Sequence, residues 1–384
     1  MENTTMQNLT TILSPVDEIS DLSFSDILTV FIYTVIGVAG IIGNMLVLII
    51  FRHLKSRKSQ VNSFILNQAS ADLMTSIFLI SFGATLLARD SIFHVGFGGE
   101  FMCRFWWSRF FIFSCFAVST FNLTSMSIER FIAVVLPLRY PLIFTKRFTL
   151  SVILFIWIVA PLMQWIFPLA LYELDHVTAS CRFQSSWSFA VAGAISGVTL
   201  FLWEYFIPVI IMLVAYISIL RTLKRKETQI QSFGQSANTQ STSQPPAPNN
   251  DDTGNRSSGI RFKVDNGNQA TADRQPPKSK SSSAQARRRN VTITLFIMFI
   301  MYFICWTPNQ LTFLRFNLGG PLDFNGFWYH FTVFMAFVNT CINPFIYALK
   351  HKQFQKGIKD FLGCALKKED RSSQINSVSS TVVD

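Results

Sequence analysis

Seven stretches of this chain run for nineteen or more residues with almost no charge, and few folds can use such segments. Asp, Glu, Lys and Arg are absent from 27–51, 110–128, 148–172, 183–203, 290–314 and 324–349. The run 59–88 is broken only by Asp72, and the fifth continues past Glu204 to residue 220. A helix rising about 1.5 Å per residue needs roughly 20 residues to cross the hydrocarbon of a bilayer. Charged residues make up only 14% of the chain, against about 25% in soluble domains. A large soluble all-α core is the alternative, and it has no use for seven successive runs of this length. The pattern predicts an all-α membrane protein, a seven-transmembrane helix bundle over 27–349. Its spans are expected at about 27–51, 61–88, 102–132, 148–171, 192–222, 288–314 and 326–349.

The basic residues orient the spans. No Lys or Arg precedes Arg52, whereas Glu2, Asp17, Glu18, Asp21 and Asp26 lie ahead of the first span. Arg52, Lys55, Arg57 and Lys58 fill the first loop, Arg139, Lys146 and Arg147 the third, and Lys350, Lys352, Lys356 and Lys359 follow span seven. Positive loops stay in the cytoplasm, which puts the amino terminus outside and the carboxyl terminus inside. The net charge of +11 is thus the mark of a membrane face, not of nucleic-acid binding. In the outer segment 1–26, Asn3 and Asn8 begin Asn-x-Thr glycosylation acceptors. The first apolar run is too long and starts too late for a cleaved signal peptide, so span one is expected to direct insertion itself. Segment 224–286 is rich in Ser, Gln, Asn and Pro, and that composition predicts a disordered third cytoplasmic loop. A short amphipathic helix is expected over 351–363, then a tail over 364–384 bearing Ser372, Ser373, Ser377, Ser379, Ser380 and Thr381.

Of the six cysteines, only Cys103 and Cys181 fall on the oxidising outer side, so they are expected to pair. Cys364 is a candidate for palmitoylation, with a free cytosolic thiol as the alternative. Polar residues at membrane depth are costly and point to function. Three islands stand out: Asp72 in span two, Glu129-Arg130 closing span three, and Asn343-Pro344 in span seven. Pro344 removes a helical hydrogen bond, and Asn343 is expected to satisfy the freed groups.

These features together resemble the rhodopsin-like (class A) G-protein-coupled receptors. The resemblance covers roughly 27–363. It rests on Gly43-Asn44, on Leu66 with Ala71-Asp72, on Glu129-Arg130-Phe131, and on Trp157, Pro208 and Tyr216. Cys305-Trp306-Thr307-Pro308 and the Asn343-Pro344-x-x-Tyr347 pattern complete it. The resemblance implies a switch built from Glu129, Arg130, Tyr216, Trp306, Pro308, Asn343, Pro344 and Tyr347, acting on a heterotrimeric G protein as span six moves. It also implies that Asn44, Ser119, Asn339 and Asn343 surround Asp72, where they could hold a sodium ion as an allosteric ligand. Arrestin and receptor kinases would be partners of the Ser/Thr-rich tail. Four departures stand out: Phe131 replaces a tyrosine, and Arg288 replaces the acid that often holds the span-three arginine. Thr120 and Tyr302 occupy the mid-membrane connector, and Cys103 lies 27 residues before Arg130 where 25 is common. A bulge or a different start to helix three would account for the last.

The ligand is less legible. No acid lies between Cys103 and Glu129, which disfavours an amine receptor, and span seven has no lysine before Lys350 to carry a retinal. The outer halves offer Arg109, Ile112, Gln164, Glu204, Asn309, Gln310, Phe313 and Tyr329. That mixture of separated charges, amides and aromatics suits a peptide, and the tissue role would be neuropeptide signalling; a lipid or other small molecule is the alternative. A transporter would call for paired charges and repeated halves, and neither is visible. Nor is any nucleophile–base pair, metal cluster or phosphate loop that an enzyme would need.

Overall fold

The computed structural model describes residues 24–53, 59–87, 95–178, 180–183, 190–240, 280–323, 326–361 and 363. Among these, seven helices are long and apolar enough to cross a membrane: Asp26–Arg52, Gln60–Leu87, Phe97–Val135, Lys146–Leu171, Val191–Gln229, Arg289–Asn317 and Phe327–Lys350. They are spans one to seven below. Asn3, Asn8, Cys364 and the serine-rich tail lie outside the described residues.

Span one shows how the sequence meets its solvent. Val35, Val38, Ile42, Met45 and Ile49 are exposed, while Tyr33, Ile36, Asn44, Val47 and Phe51 are buried. Both sets recur every three to four residues, so one helical face is apolar and outward and the other carries the polar group inward. In water that arrangement would be inverted. In lipid the outward face needs no charge, and Asn44 must find its partners inside the bundle. Span two packs on spans one, three, four and seven, and span three also packs on spans four and five. Gly43 is required at one close approach: a Cβ there would lie 2.9 Å from Pro344 Cγ.

Two prolines organise the backbone hydrogen bonds. Pro344 has no N–H to give the Thr340 carbonyl four residues back, and Asn44 Nδ2 supplies one at 3.1 Å. Asn343, expected to do this, instead donates to Asp72 Oδ2 at 2.8 Å. The freed carbonyl faces span one, where Gly43 lets that helix approach closely. Pro208 likewise strips the Glu204 carbonyl of its helical donor, and the Tyr302 hydroxyl replaces it at 3.0 Å. Around that point span five takes a π-helical turn, Phe201–Phe206.

Span three begins irregularly. A π-helical turn, Met102–Trp107, is followed by Arg109 in the left-handed region with φ 60°. This widened and broken start accommodates the long Cys103–Arg130 spacing, so the bulge is the correct alternative. Cys103 is disulfide-bonded to Cys181, which lies on an antiparallel hairpin, β1 Tyr172–Asp175 and β2 Ser180–Phe183. In its turn Asp175 Oδ1 accepts the Val177 N–H at 2.9 Å. That bond above all, with further help from Thr178 and Arg182, holds the carboxyl below its ordinary range.

Past span seven, helix resumes over 352–361. Phe354 stacks on Phe51 with centroids 5.8 Å apart, which docks this helix on span one. The chain divides into two compact units, 1–219 with 289–384 and Leu220–Arg288. The second unit, within which the disordered loop was expected, is helical over 220–240 and 280–288. Both pieces extend a membrane helix, and propagation from an existing helix avoids the cost of nucleation.

Candidate functional site

At the end of span three far from the disulfide, Glu129 and Arg130 are both buried. Arg130 Nε and Nη2 donate to Glu129 Oε2 and Oε1, each at 2.5 Å, and the Tyr140 hydroxyl donates to Oε1 at 2.6 Å. Three charge-assisted bonds offset the desolvation of the pair. Next to it, Ser127 Oγ donates to the Tyr216 hydroxyl at 3.3 Å, and Tyr216 stacks on Phe299 of span six. Tyr347 is buried, and its hydroxyl has no partner among the described residues. His351, which sequence reasoning passed over, accepts the Phe354 N–H at Nδ1 (3.3 Å) and packs against Phe51. Burial above all, and the nearby charge of Arg130, push its pKa down to about 4. The Arg288 side chain is outside the described residues.

In mid-membrane, Asp72 accepts Asn343 Nδ2 at 2.8 Å and Ser119 Oγ at 3.2 Å. Both were expected neighbours. Asn44 was expected there too, but it donates to the Gly40 and Thr340 carbonyls. Asn339 is buried on span seven. The third donor to Asp72 is Gln68, whose Nε2 is 3.3 Å from each carboxylate oxygen. Gln68 was missed because nothing in the run 59–88 distinguishes it from any other polar residue; its place one turn before Asp72 was the only signal. Toward the disulfide, Trp306 meets Phe116 edge-on at 4.9 Å, and Phe116 stacks on Phe337. This ties spans three, six and seven beside Pro308.

Toward the disulfide end, two narrow clefts are lined by described residues. One is lined by Phe78, Phe82, Trp106, Arg109, Phe111 and Ile112. Arg109 lies over the Phe82 ring at 4.8 Å, hydrogen-bonds Tyr329, and is close to Tyr33 and Tyr172. Its Nε is buried without an acceptor among the described residues. Burial pushes the Tyr172 phenol up to about 12, against the opposing pull of Arg109. The second cleft is lined by Phe113, Phe116, Ala117, Thr120, Glu204, Trp306 and Gln310. Gln164 donates to Glu204 Oε1. The internal partner of this acid is therefore Gln164 of span four, and no ion pair to Glu204 or Arg109 occurs among the described residues. Arg109, Ile112 and Tyr329 thus gather at one cleft and Gln164, Glu204 and Gln310 at the other. Asn309 and Phe313 line neither; Phe313 packs on Phe316. The aromatic lining escaped sequence reasoning because one phenylalanine among 39 carries no positional signal.

Seven spans around a buried acid–arginine pair define a membrane receptor bundle. A family model described as 7 transmembrane receptor (rhodopsin family) matches residues 43–347, and the chain belongs to that family. It is a multi-pass membrane receptor, not an enzyme. The chain is similar to galanin receptor 2b of Danio rerio, 27% identical over 91% of this chain and 79% of that receptor. It is also similar to the cholecystokinin receptor of Xenopus laevis, 26% identical over 86% and 75%. Among solved structures, squid rhodopsin shares the fold with a TM-score of 0.62, at 18% identity over 88% of this chain and 85% of that one.

Proposed function

We propose that this protein is a plasma-membrane receptor, amino terminus outside, that binds an extracellular peptide and activates a heterotrimeric G protein. The observation that carries the reading is the buried Arg130–Glu129 pair, capped by Tyr140 at the basic end of the bundle. An arginine held at 2.5 Å by its own neighbour is poised to exchange that partner for the backbone of a docked protein when span six moves away. The relatives named for galanin and cholecystokinin, both peptides, support a peptide ligand. So do Arg109 and Glu204, two opposite charges in separate clefts with amide and aromatic neighbours. A peptide presents charged and amide groups several residues apart, which is what two such clefts can read. Arrestin and receptor kinases are proposed partners of the tail.

A peptide library screened on cells co-expressing promiscuous G proteins identifies the agonist. Arg130→Ala then abolishes agonist-stimulated nucleotide exchange in membranes while surface expression is retained. Full exchange by that variant at normal expression overturns the assignment.

A further inference from the structure

Asp72 is where the resemblance places a sodium ion, and the groups around its carboxylate do not suit one. The reason begins two helices away. The Trp157 indole N–H can only donate, and it donates to Asn67 Oδ1 at 2.8 Å. Asn67 must therefore turn its Nδ2 to the other side, where it meets Asn122 Oδ1 at 2.9 Å. That commits Asn122 Nδ2 to Gln68 Oε1 at 2.8 Å, with a second bond to the Phe64 carbonyl at 2.9 Å. Gln68 is left with only its Nε2 to present, and it presents it to Asp72 and to Ser119 Oγ. The Ser119 hydroxyl, accepting from Gln68, donates onward to Asp72 Oδ1. Each link of this relay passes a donor on toward the carboxylate, and Asn343 closes it from span seven.

The polarity of the whole chain of amides is thus set by one indole. Reversing Gln68 would place its oxygen against Asp72 and break the bond from Asn122, a loss of two buried interactions. A hard cation takes oxygen lone pairs, and here the carboxylate oxygens face N–H and O–H hydrogens, whose partial positive charge repels it. We infer that Gln68 is a built-in ligand of Asp72, standing where a cation would, so that this receptor is indifferent to sodium.

The test needs no agonist. Thermal unfolding of the purified full-length receptor is measured in sodium chloride and in choline chloride at equal ionic strength. The wild type is expected to unfold at the same temperature in both. Gln68→Leu, similar in volume but without the amide, is expected to gain a saturable, sodium-specific rise, which Asp72→Asn added to it removes. A sodium-specific rise in the wild type overturns the inference, and so does a folded Gln68→Leu that stays indifferent. Should Gln68→Leu not fold, ²³Na line widths decide: excess broadening by wild type that Asp72→Asn abolishes overturns it. Equal line widths for the two uphold it.

Discussion

Glu204 of span five and Gln164 of span four meet at the second cleft of the disulfide end. The Glu204 carboxylate takes a hydrogen bond from Gln164 and lines that cleft with Gln310 and Trp306. Glutamine in its place keeps an oxygen for Gln164 but loses the charge that a basic ligand group needs. Glu204→Gln is therefore expected to lower agonist potency about tenfold, or about 1.4 kcal/mol, with surface expression preserved; dose–response curves on expression-matched cells check it. His351 gives a pH test at the opposite end. Its folded pKa of about 4 lies below the ordinary 6.5, so the folded ring stays neutral while the unfolded one takes up a proton. Stability is intact above pH 6.5 and falls as pH drops from 6.5 to 4, by roughly 3 kcal/mol at full effect. Thermal melts across that range should show the slope, and His351→Gln should flatten it.

Helix breakers and their repairs are the story at the level of elements. Pro208 and Pro344 each leave a carbonyl that a side chain on another span answers, Tyr302 and Asn44 respectively. Tyr302→Phe keeps the packing on Trp306 and Tyr205 but leaves the Glu204 carbonyl without a donor. The loss of one buried bond costs about 1–3 kcal/mol, read as a lower unfolding temperature in detergent. The prolines themselves were legible at once, since their chemistry is local. Which residue repairs them was not, because Asn44 and Thr340 are 296 positions apart. The same holds for span three, where the spacing of 27 between Cys103 and Arg130 signalled an irregularity. Only the folded backbone located it in Met102–Trp107 and the left-handed Arg109.

For the molecule as a whole, the Cys103–Cys181 bond fastens the hairpin to the start of span three, closing 78 residues of chain. Cys103→Ser is expected to cost about 2–4 kcal/mol and to weaken agonist binding, measured on surface receptors. Peptide mapping without reduction should recover the two cysteines linked. The sequence alone determined the number of spans, the bilayer as solvent, the acid–arginine pair and the family resemblance. Each of these follows from residue type and short spacing, because a helix in lipid must satisfy its own backbone and tolerates little charge. Tertiary structure decided which polar groups meet: that Gln68 faces Asp72, that Gln164 answers Glu204, and that Tyr329 joins Arg109. The last two join residues on different helices, and the orientation of Gln68 is fixed by Asn122 and Trp157 on two others; the relative rotation of helices comes from packing many side chains at once, which no single segment encodes.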